Sequence, residues 1–263
     1  MDAKRSISLA AMALCAAAAS AGEAESGCRA ESGATTLPLV ELYTSEGCNS
    51  CPPADRWLAE TFAPSGRVQA VALAFHVDYW DRLGWPDRFA RAEWSARQEA
   101  IARTGGGTVV YTPQVVLQGR DFPTWRSTNA ARELARAASR PPRASVDVGA
   151  RVDGRRVVVA ASARVPATAD RAGARLVVAY ADSGHVTGVK RGENAGVTLT
   201  HDHVVRALAT SGVADASGAL RAEVSFSRPA DAGAHPRVVA FVERGDAREI
   251  LQSVALPLER CGT

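Results

Sequence analysis

The sequence predicts an α/β domain followed by an all-β, sandwich-like C-terminal domain. Three observations support this fold class. Apolar runs alternate with helical patterns in the first half of the chain, which is typical of helices that cover a sheet. Two cysteines, at positions 48 and 51, lie between the first apolar run and the first helical pattern. Beyond about residue 144, short β-type runs separated by turn residues replace this alternation.

Three strands are predicted within the first domain, which we place at residues 36–140. They are the runs LPLVELYTS, VQAVALAFHV and TPQVVLQGR, at 37–45, 68–77 and 112–120. Near-continuous apolar runs of this length are typical of strands that are buried on both faces, as in parallel sheets. We therefore expect a mostly parallel sheet that is covered by helices.

Three helices are predicted to accompany these strands. The first follows the cysteines and begins at Pro52 and Pro53, because proline is tolerated in a first helical turn. The second covers 87–107 and is stopped by glycines, and the third covers 127–139. The order is therefore strand, CxxC, helix, strand, helix, proline, strand and helix.

A proline-rich linker, SRPPRAS at 139–145, ends the α/β pattern. The residues beyond it form several β-rich runs and show no internal sequence repeat. Short strands at this spacing predict a sandwich or a barrel. We place this second domain at 144–260.

The N-terminus predicts export. Two basic residues precede an apolar segment, and small residues at 19–21 supply a cleavage site. These features are typical of a secretory signal peptide, which we place at 1–21 and which is too short to span a membrane. We expect a secreted protein, which is periplasmic if the source is a Gram-negative bacterium.

Charge and hydropathy exclude two kinds of partner. The chain has 31 Lys and Arg against 28 Asp and Glu, and the basic residues are scattered. A nucleic-acid interface needs them clustered, so no nucleic-acid partner is expected. No apolar run is long enough for a membrane span.

Four cysteines remain once the predicted signal peptide, which contains Cys15, is removed. An oxidising compartment permits disulfides, and four cysteines allow three pairings. We expect Cys48 to pair with Cys51. We expect Cys28 and Cys261 to form a structural disulfide that ties the start of the mature chain to its end.

The CxxC pair has the setting of a redox-active disulfide. Its strand–loop–helix context places Cys48 at a helix N-terminus, where the helix dipole and free N–H groups stabilise a thiolate. Cys48 is therefore the expected nucleophile. Cys51, one turn farther on and less exposed, is the expected resolving thiol. This disulfide would be the redox group, with no other cofactor.

The segment YTPQVVLQGRD resembles the part of the thioredoxin fold in which a cis proline packs against the CxxC pair. The resemblance implies a thioredoxin-like α/β domain at 36–140. It also implies that Pro113 lies beside the cysteines and that Thr112 offers its backbone groups to a substrate chain.

Four segments resemble a family of secreted bacterial proteins of unknown function: ELYTSEGCNSCPPAD, FHVDYWDRLGWPD, YTPQVV and GENAGVTLTHDHVVR. The resemblance spans nearly the whole mature chain. It implies a thioredoxin-like domain with a CxxC pair, followed by a C-terminal β domain.

Polar and aromatic residues follow the second strand. His76 and Asp78 are two positions apart and so share a strand face. Because the carboxyl ends of parallel strands meet at one edge, either side chain could tune Cys48 or move its proton. The alternative is a hydrogen-bonded histidine that fixes the following loop. Trp80 is expected either to line a peptide groove or to pack in the core.

The stretch RGENAGVTLTHDHVVR, at 191–206, is the most polar part of the β domain. Glu193 and Asn194 lie in a predicted turn, and His201 and His203 share one face of a predicted strand. One hypothesis is that this segment leans over the CxxC edge and shapes a substrate cleft. The alternatives are a metal site made by the histidines and a polar strand face with structural hydrogen bonds.

The sequence leaves three functions open. The favoured one is an exported thiol–disulfide oxidoreductase that acts on a protein or small-thiol client and uses an unknown electron donor. The second is the handling of copper or another metal, because thiolates and imidazole suit copper. The third is a non-catalytic binding module in which Cys48–Cys51 is a structural disulfide.

Overall fold

The computed structural model describes residues 27–63, 68–245, 248–259 and 261, and the predicted signal peptide lies outside them. Strands account for 43% of the chain and helices for 19%. The helices are α1 (Pro52–Thr61), α2 (Ala92–Thr104), α3 (Ala130–Ala138) and α4 (Thr168–Arg171), with 3-10 helices at Asp81–Leu83 and Pro123–Arg126. The strands are β1 (Cys28–Glu31), β2 (Leu39–Thr44), β3 (Val71–His76), β4 (Gln114–Leu117), β5 (Arg120–Asp121), β6 (Ser145–Asp153), β7 (Arg156–Arg164), β8 (Ala174–Ser183), β9 (His185–Gly188), β10 (Thr198–His201), β11 (Val204–Val213), β12 (Ala219–Ser227), β13 (Ala234–Arg244) and β14 (Glu249–Pro257).

Strands from both halves of the sequence join in one large mixed sheet. Its order is β14-β13-β8-β11-β3-β2-β4-β5. The two halves meet where β3 and β11 run parallel, with Ala74 opposite Val204. The backbone N–H of Ala74 donates a hydrogen bond to the carbonyl oxygen of His203 at 2.8 Å. β2 and β3 are parallel, whereas β4 and β5 are antiparallel to their neighbours.

The predicted fold class, a thioredoxin-like α/β domain followed by an all-β domain, is therefore wrong. The described chain is mostly β with large mixed sheets, and the sheet of its first half is continuous with strands of its second half. Apolar periodicity locates strands, but it does not show which strands pair across a long sequence separation. The domain boundaries at 36–140 and 144–260 stay a prediction.

The surroundings of strand β2 explain why its residues are mostly apolar and do not alternate between apolar and polar. Leu39 and Tyr43 pack against Trp94 of α2 on one face of the sheet. Val40 and Leu42 lie on the other face, in the cluster that contains the buried side chains of α1 and α3. Because both faces are covered, every position of the strand is buried.

The core beneath α2 is shared by the two halves of the sequence. Leu73 and Phe75 of β3 belong to the same cluster as Val177 of β8 and Phe241 of β13. Full burial of a side chain of this kind contributes roughly 2 kcal/mol. This apolar contact therefore holds the halves together more strongly than the narrow backbone pairing of β3 with β11.

A buried ionic network crosses the same region. Arg97 of α2 donates hydrogen bonds from Nε and Nη2 to the carboxylate of Glu41 in β2, at 2.7 and 3.0 Å. Its Nη1 lies 2.8 Å from Oε2 of Glu243 in β13. Tyr43 donates its hydroxyl to Glu41 at 2.9 Å. The network ties a helix and two strands of different sequence halves into one arrangement.

A second sheet, of order β1-β6-β7-β12, packs on the part of the large sheet formed by β8, β13 and β14. Cys28 of β1 and Cys261 form a disulfide, with their Cα atoms 5.0 Å apart. This confirms the predicted pairing, which joins the first described strand to the residues after the last one.

The strands predicted at 37–45 and 68–77 are confirmed as β2 and β3. The helix predicted from residue 87 begins instead at Ala92. The carboxylate of Asp87 accepts hydrogen bonds from the backbone N–H groups of Glu46 and Phe89, at 2.8 and 2.9 Å. Asp87 therefore belongs to a loop that is bonded to the CxxC region.

Candidate functional site

Cys48 and Cys51 form a disulfide between β2 and α1, with their Cα atoms 5.5 Å apart. Cys51 is the N-cap residue of α1, and its carbonyl oxygen accepts a hydrogen bond from the N–H of Ala54 at 2.8 Å. The predicted pairing of Cys48 with Cys51 is thereby confirmed. Both sulfur atoms lie at the N-terminal end of a helix of 10 residues.

Both cysteines are buried, with an exposed fraction of 0% each. The expectation that Cys48 is the more exposed of the two is therefore wrong. Asn49 and Ser50, between the cysteines, are exposed. The loop between the cysteines is therefore open to solvent, whereas the cysteines themselves are covered, and a segment from the second half of the chain is bonded to this loop.

That neighbouring segment is residues 189–197, which connects β9 to β10 and which we name the strap. Asn194 donates hydrogen bonds from Nδ2 to the carbonyl oxygens of Glu46 and Cys48, at 2.8 and 3.0 Å. Glu193 accepts a hydrogen bond from the N–H of Asn49 at 3.2 Å. The structure therefore brings Glu193 and Asn194, from the second half of the sequence, onto the CxxC loop.

Glu46 lies two residues before Cys48 and is fully buried. Its carboxylate accepts a hydrogen bond from Nε1 of Trp85 at 2.7 Å, and its Oε1 lies 3.3 Å from Nε2 of His201. Burial raises the pKa of Glu46, but the contacts with His201 and Trp85 outweigh it, so its pKa lies below the ordinary value. A buried carboxylate is therefore held ionised next to the disulfide.

His76, at the end of β3, faces Asp87 rather than Asp78. Its Nδ1 lies 2.7 Å from Oδ2 of Asp87. Burial lowers the pKa of His76, but the charge and hydrogen bond of Asp87 more than reverse this, so the pKa is raised. Asp78 lies beyond the strand end and accepts a hydrogen bond from the Ser95 hydroxyl at 2.5 Å. The prediction that His76 and Asp78 share a strand face is wrong, because β3 ends at His76.

His76 and His201 pack edge to face, with ring centroids 4.8 Å apart. Among the described residues, buried polar atoms without a hydrogen-bond partner include Nε2 of His76 and Nδ1 of His201. Most buried polar groups in proteins are satisfied by protein or ordered water. The imidazole rings of His76 and His201 are groups that can accept or donate a proton.

Asp55 of α1 faces the same region. Burial raises the pKa of this carboxyl, and the nearby charges of His201 and His76 reduce the effect without cancelling it. We use the name acid–imidazole cluster for five titratable side chains that interact with one another and that include the near sequence neighbours of both cysteines: Glu46, Asp55, His76, Asp87 and His201.

Thr112 and Pro113 precede β4 and are joined by a cis peptide bond. Trp80 donates a hydrogen bond from Nε1 to Oγ1 of Thr112 at 2.8 Å. The Cβ of Trp80 also lies 3.1 Å from the position that a Cβ on Gly47 would occupy. Trp80 thus connects Thr112 to the residue that precedes Cys48.

His203 does not join His201 in the cluster. β10 ends at His201, and His203 has a left-handed backbone with φ of 61°. Its Nδ1 accepts a hydrogen bond from Arg237. Burial, and then the charge of Arg237, lower the pKa of His203 to about 3. The prediction that the two histidines share a strand face is wrong, because the strand ends between them.

Sequence reasoning missed Glu46, Asp55 and Asp87. All three lie in or beside the motifs that carried the family resemblance. The available signal was strongest for Asp55, which follows Cys51 by four residues on a predicted helix and so shares its face. Nothing in the local sequence shows that Asp87 folds back onto Glu46.

In the ranges that the structure describes, no group of three or more His, Cys, Asp and Glu side chains has an arrangement that could hold a metal ion. The alternative of metal handling through Cys48, Cys51 and a histidine stays a prediction. No helix within these ranges is long and apolar enough to cross a membrane.

A family model described as a protein of unknown function, DUF1223, matches residues 39–243. The chain belongs to the DUF1223 family. The predicted membership of a family of unknown function is thereby confirmed. No curated protein matches the chain.

Two solved structures resemble the chain. The crystal structure of protein AGR_C_4864 from Agrobacterium tumefaciens has 26% sequence identity and a TM-score of 0.61, over 84% of this chain and 94% of that one. HBP35 of Porphyromonas gingivalis has 14% identity and a TM-score of 0.59, over 86% of this chain and 76% of that one. The second likeness is one of fold alone.

The DUF1223 match contains the CxxC loop, the strap and all of the acid–imidazole cluster. Cys28 and Cys261 lie outside it. The features that meet around Cys48 and Cys51 therefore belong to the DUF1223 region, and the disulfide at the chain ends is a separate element.

Proposed function

We propose that this protein exchanges disulfides with client thiols through Cys48 and Cys51. The observation that carries the proposal is a disulfide at the N-terminus of α1 together with the acid–imidazole cluster. The helix N-terminus favours the thiolate that forms when the disulfide opens. The cluster provides titratable groups for the proton transfers that accompany exchange.

The exchange has two steps. A client thiolate attacks Sγ of Cys48 and forms an intermolecular S–S bond as the Cys48–Cys51 bond breaks. The electron pair of the broken bond leaves on Sγ of Cys51, which then takes up a proton. A second client thiolate attacks the client sulfur of this mixed disulfide and releases the Cys48 thiolate. The client is oxidised and the protein is reduced, and a client disulfide drives the same steps in reverse.

Movement of the strap is part of the proposal because both sulfur atoms are buried. Three hydrogen bonds hold the strap on the CxxC loop, two from Asn194 and one to Glu193. Each bond contributes about 1 kcal/mol net, so transient opening is accessible. Thr112 and Pro113, which are linked to this region through Trp80, are proposed to contact the client chain.

Export to an oxidising compartment is also proposed. The Cys28–Cys261 and Cys48–Cys51 disulfides are typical of exported proteins. The partners would be a client protein or a small thiol, together with a separate electron donor or acceptor. The Cys48–Cys51 pair is the proposed redox group.

Complete burial of both cysteines favours a second candidate function, a binding module in which Cys48–Cys51 is a structural disulfide. A structural disulfide does not require access for a client. The two candidates differ in the reduction potential of the pair and in its reaction with thiols.

The deciding experiment measures the reduction potential of Cys48–Cys51 by alkylation in glutathione and dithiothreitol redox buffers, in a Cys28→Ser/Cys261→Ser background. Exchange catalysts lie between about −270 and −120 mV, whereas structural disulfides lie below about −300 mV. A Cys51→Ser variant should also form a stable mixed disulfide with a client or with glutathione. A potential below −300 mV and no adduct would favour the structural disulfide.

A further inference from the structure

Asp55 lies one helical turn after Cys51, on the same face of α1. The N–H of Asp55 donates a hydrogen bond to the carbonyl oxygen of Cys51 at 3.2 Å, as expected for positions i and i+4. Side chains with this spacing are neighbours on a helix surface. Asp55 is partly buried, and Cys51 has no exposed surface.

Exchange at the disulfide requires a proton at Cys51. When Cys48 is attacked, Cys51 leaves as a thiolate and must be protonated. In the reverse direction, Cys51 must lose a proton before it can attack Cys48. Cys51 has no exposed surface in this structure, so a neighbouring protein group is a more direct carrier for this proton than bulk water.

We infer that Asp55 is the group that exchanges this proton with Cys51, directly or through one water molecule. The inference rests on the proposed function and adds a proton carrier to it. In the forward direction, the Asp55 carboxylic acid gives its proton to the Cys51 thiolate and becomes a carboxylate. In reverse, the carboxylate takes the Cys51 proton, and the thiolate attacks Sγ of Cys48 and releases the client sulfur.

The groups around Asp55 suit both of its protonation states. Four surrounding groups act on the pKa of Asp55: Thr44 of β2 through a side-chain hydrogen bond, and His76 of β3, His201 of β10 and the loop residue Asp87 through their charges. Burial favours the carboxylic acid, and the two imidazoles favour the carboxylate. The imidazole rings of His76 and His201 can pass the proton on, since an imidazole both accepts and donates protons near neutral pH.

The inference is tested on the resolution step alone. Reduced protein is treated with glutathione disulfide, and the adduct at Cys48 is followed as Cys51 displaces glutathione, by acid quench and mass spectrometry from pH 5 to pH 9. Because the adduct has already formed, opening of the strap does not enter this rate. The variants are Asp55→Asn and Asp55→Glu, with Glu60→Gln as the control that removes an exposed carboxylate from the same helix.

The Asp55→Asn variant should resolve the adduct about 10²-fold more slowly near neutral pH, which is the low end of the effect of a positioned general base. Its rate should recover as the pH approaches the pKa of a free thiol. Asp55→Glu should restore part of the rate, and Glu60→Gln should match the wild type. Urea unfolding checks that each variant is folded, and Asp55→Glu keeps the test open if Asp55→Asn does not fold.

Two outcomes overturn different claims. If Asp55→Asn resolves the adduct at the wild-type rate and with the wild-type pH profile, Asp55 does not carry the proton, although exchange itself stands. If Cys51→Ser protein forms no glutathione adduct at Cys48, the proposed exchange fails, and the role of Asp55 fails with it.

Discussion

The side chain of Asn194 is bonded to the backbone of Cys48, a residue 146 positions earlier in the sequence, with Nδ2 3.0 Å from the carbonyl oxygen. The same Nδ2 lies 2.8 Å from the carbonyl oxygen of Glu46. Asn194 is buried, so both bonds form away from bulk water. The second half of the chain is therefore hydrogen-bonded to the loop that contains the disulfide of the first half.

Replacing Asn194 by alanine should accelerate reduction of the Cys48–Cys51 disulfide by dithiothreitol. The variant loses two hydrogen bonds that hold the strap closed, each worth about 0.5–1.5 kcal/mol net. If reduction proceeds through open molecules, the rate should rise by about 5- to 150-fold, since 1.4 kcal/mol is a factor of ten. The rate is measured by quenching with an alkylating reagent and counting labelled thiols by mass spectrometry.

The control for this experiment is Asn129→Ala, which removes an exposed asparagine side chain at the start of α3. Its disulfide should be reduced at the wild-type rate. Equal rates for Asn194→Ala and the wild type would show that the strap does not limit access to the sulfur atoms.

Acid should destabilise the protein through His203. Burial and the Arg237 charge hold its folded pKa at about 3, against about 6.5 in the unfolded chain. For a group with a depressed folded pKa, the stabilisation is present above the unfolded value and is lost as the pH falls below it. The free energy of unfolding should therefore fall by about 2 kcal/mol from pH 7 to pH 5 through this residue alone.

The measurement is urea unfolding at several pH values for the wild type and for His203→Asn. Asparagine does not titrate in this range and tolerates the left-handed backbone of this position. His235→Asn is a matched control, because His235 also has a left-handed backbone, with φ of 52°, but is exposed. If the free energy of unfolding falls between pH 7 and pH 5 by the same amount in His203→Asn as in the wild type, the effect does not come from His203.

Local patterns predicted the elements of the first half well and the sheet topology poorly. The runs that became β2 and β3 are mostly apolar and do not alternate, so their burial could be inferred without knowing their neighbours. β3 and β11 join the two halves of the chain in one sheet. This arrangement depends on the pairing of Ala74 with Val204 and on a core that includes Phe75 and Phe241. These contacts link residues far apart in sequence, and no local pattern encodes them.

The candidate site divides in the same way. The CxxC pair and the segment containing Asn194 could be identified from their residue types. Glu46 and Asp87 could not be identified in this way. Their place in the site depends on a loop that brings the Asp87 carboxylate onto the backbone N–H of Glu46, and the local sequence does not show this. His203 was misplaced because the sequence does not show that the strand ends at His201.

Arg97 should be among the most sensitive positions for stability. Truncation to alanine leaves Glu41 and Glu243 without their shared cation in the interior, and breaking a buried pair in this way costs about 3–5 kcal/mol. Arg103→Ala, on the same helix, removes only an exposed ion pair with Glu99 and should cost less than about 1 kcal/mol. Urea unfolding of both variants measures the difference, and similar costs would show that the network does not stabilise the fold.

Loss of the Cys28–Cys261 disulfide should lower stability without changing the chemistry of Cys48–Cys51. The disulfide links residues separated by 233 positions, and removal of a native disulfide costs about 2–5 kcal/mol in small secreted domains. The Cys28→Ser/Cys261→Ser variant should therefore unfold at lower urea concentration, because its unfolded chain is no longer cross-linked. The DUF1223 match excludes both residues, so the reduction potential of Cys48–Cys51 should be the same in this variant and in the wild type, measured in one buffer series. A shift in that potential would show that the two disulfides are coupled through the sheet that separates them.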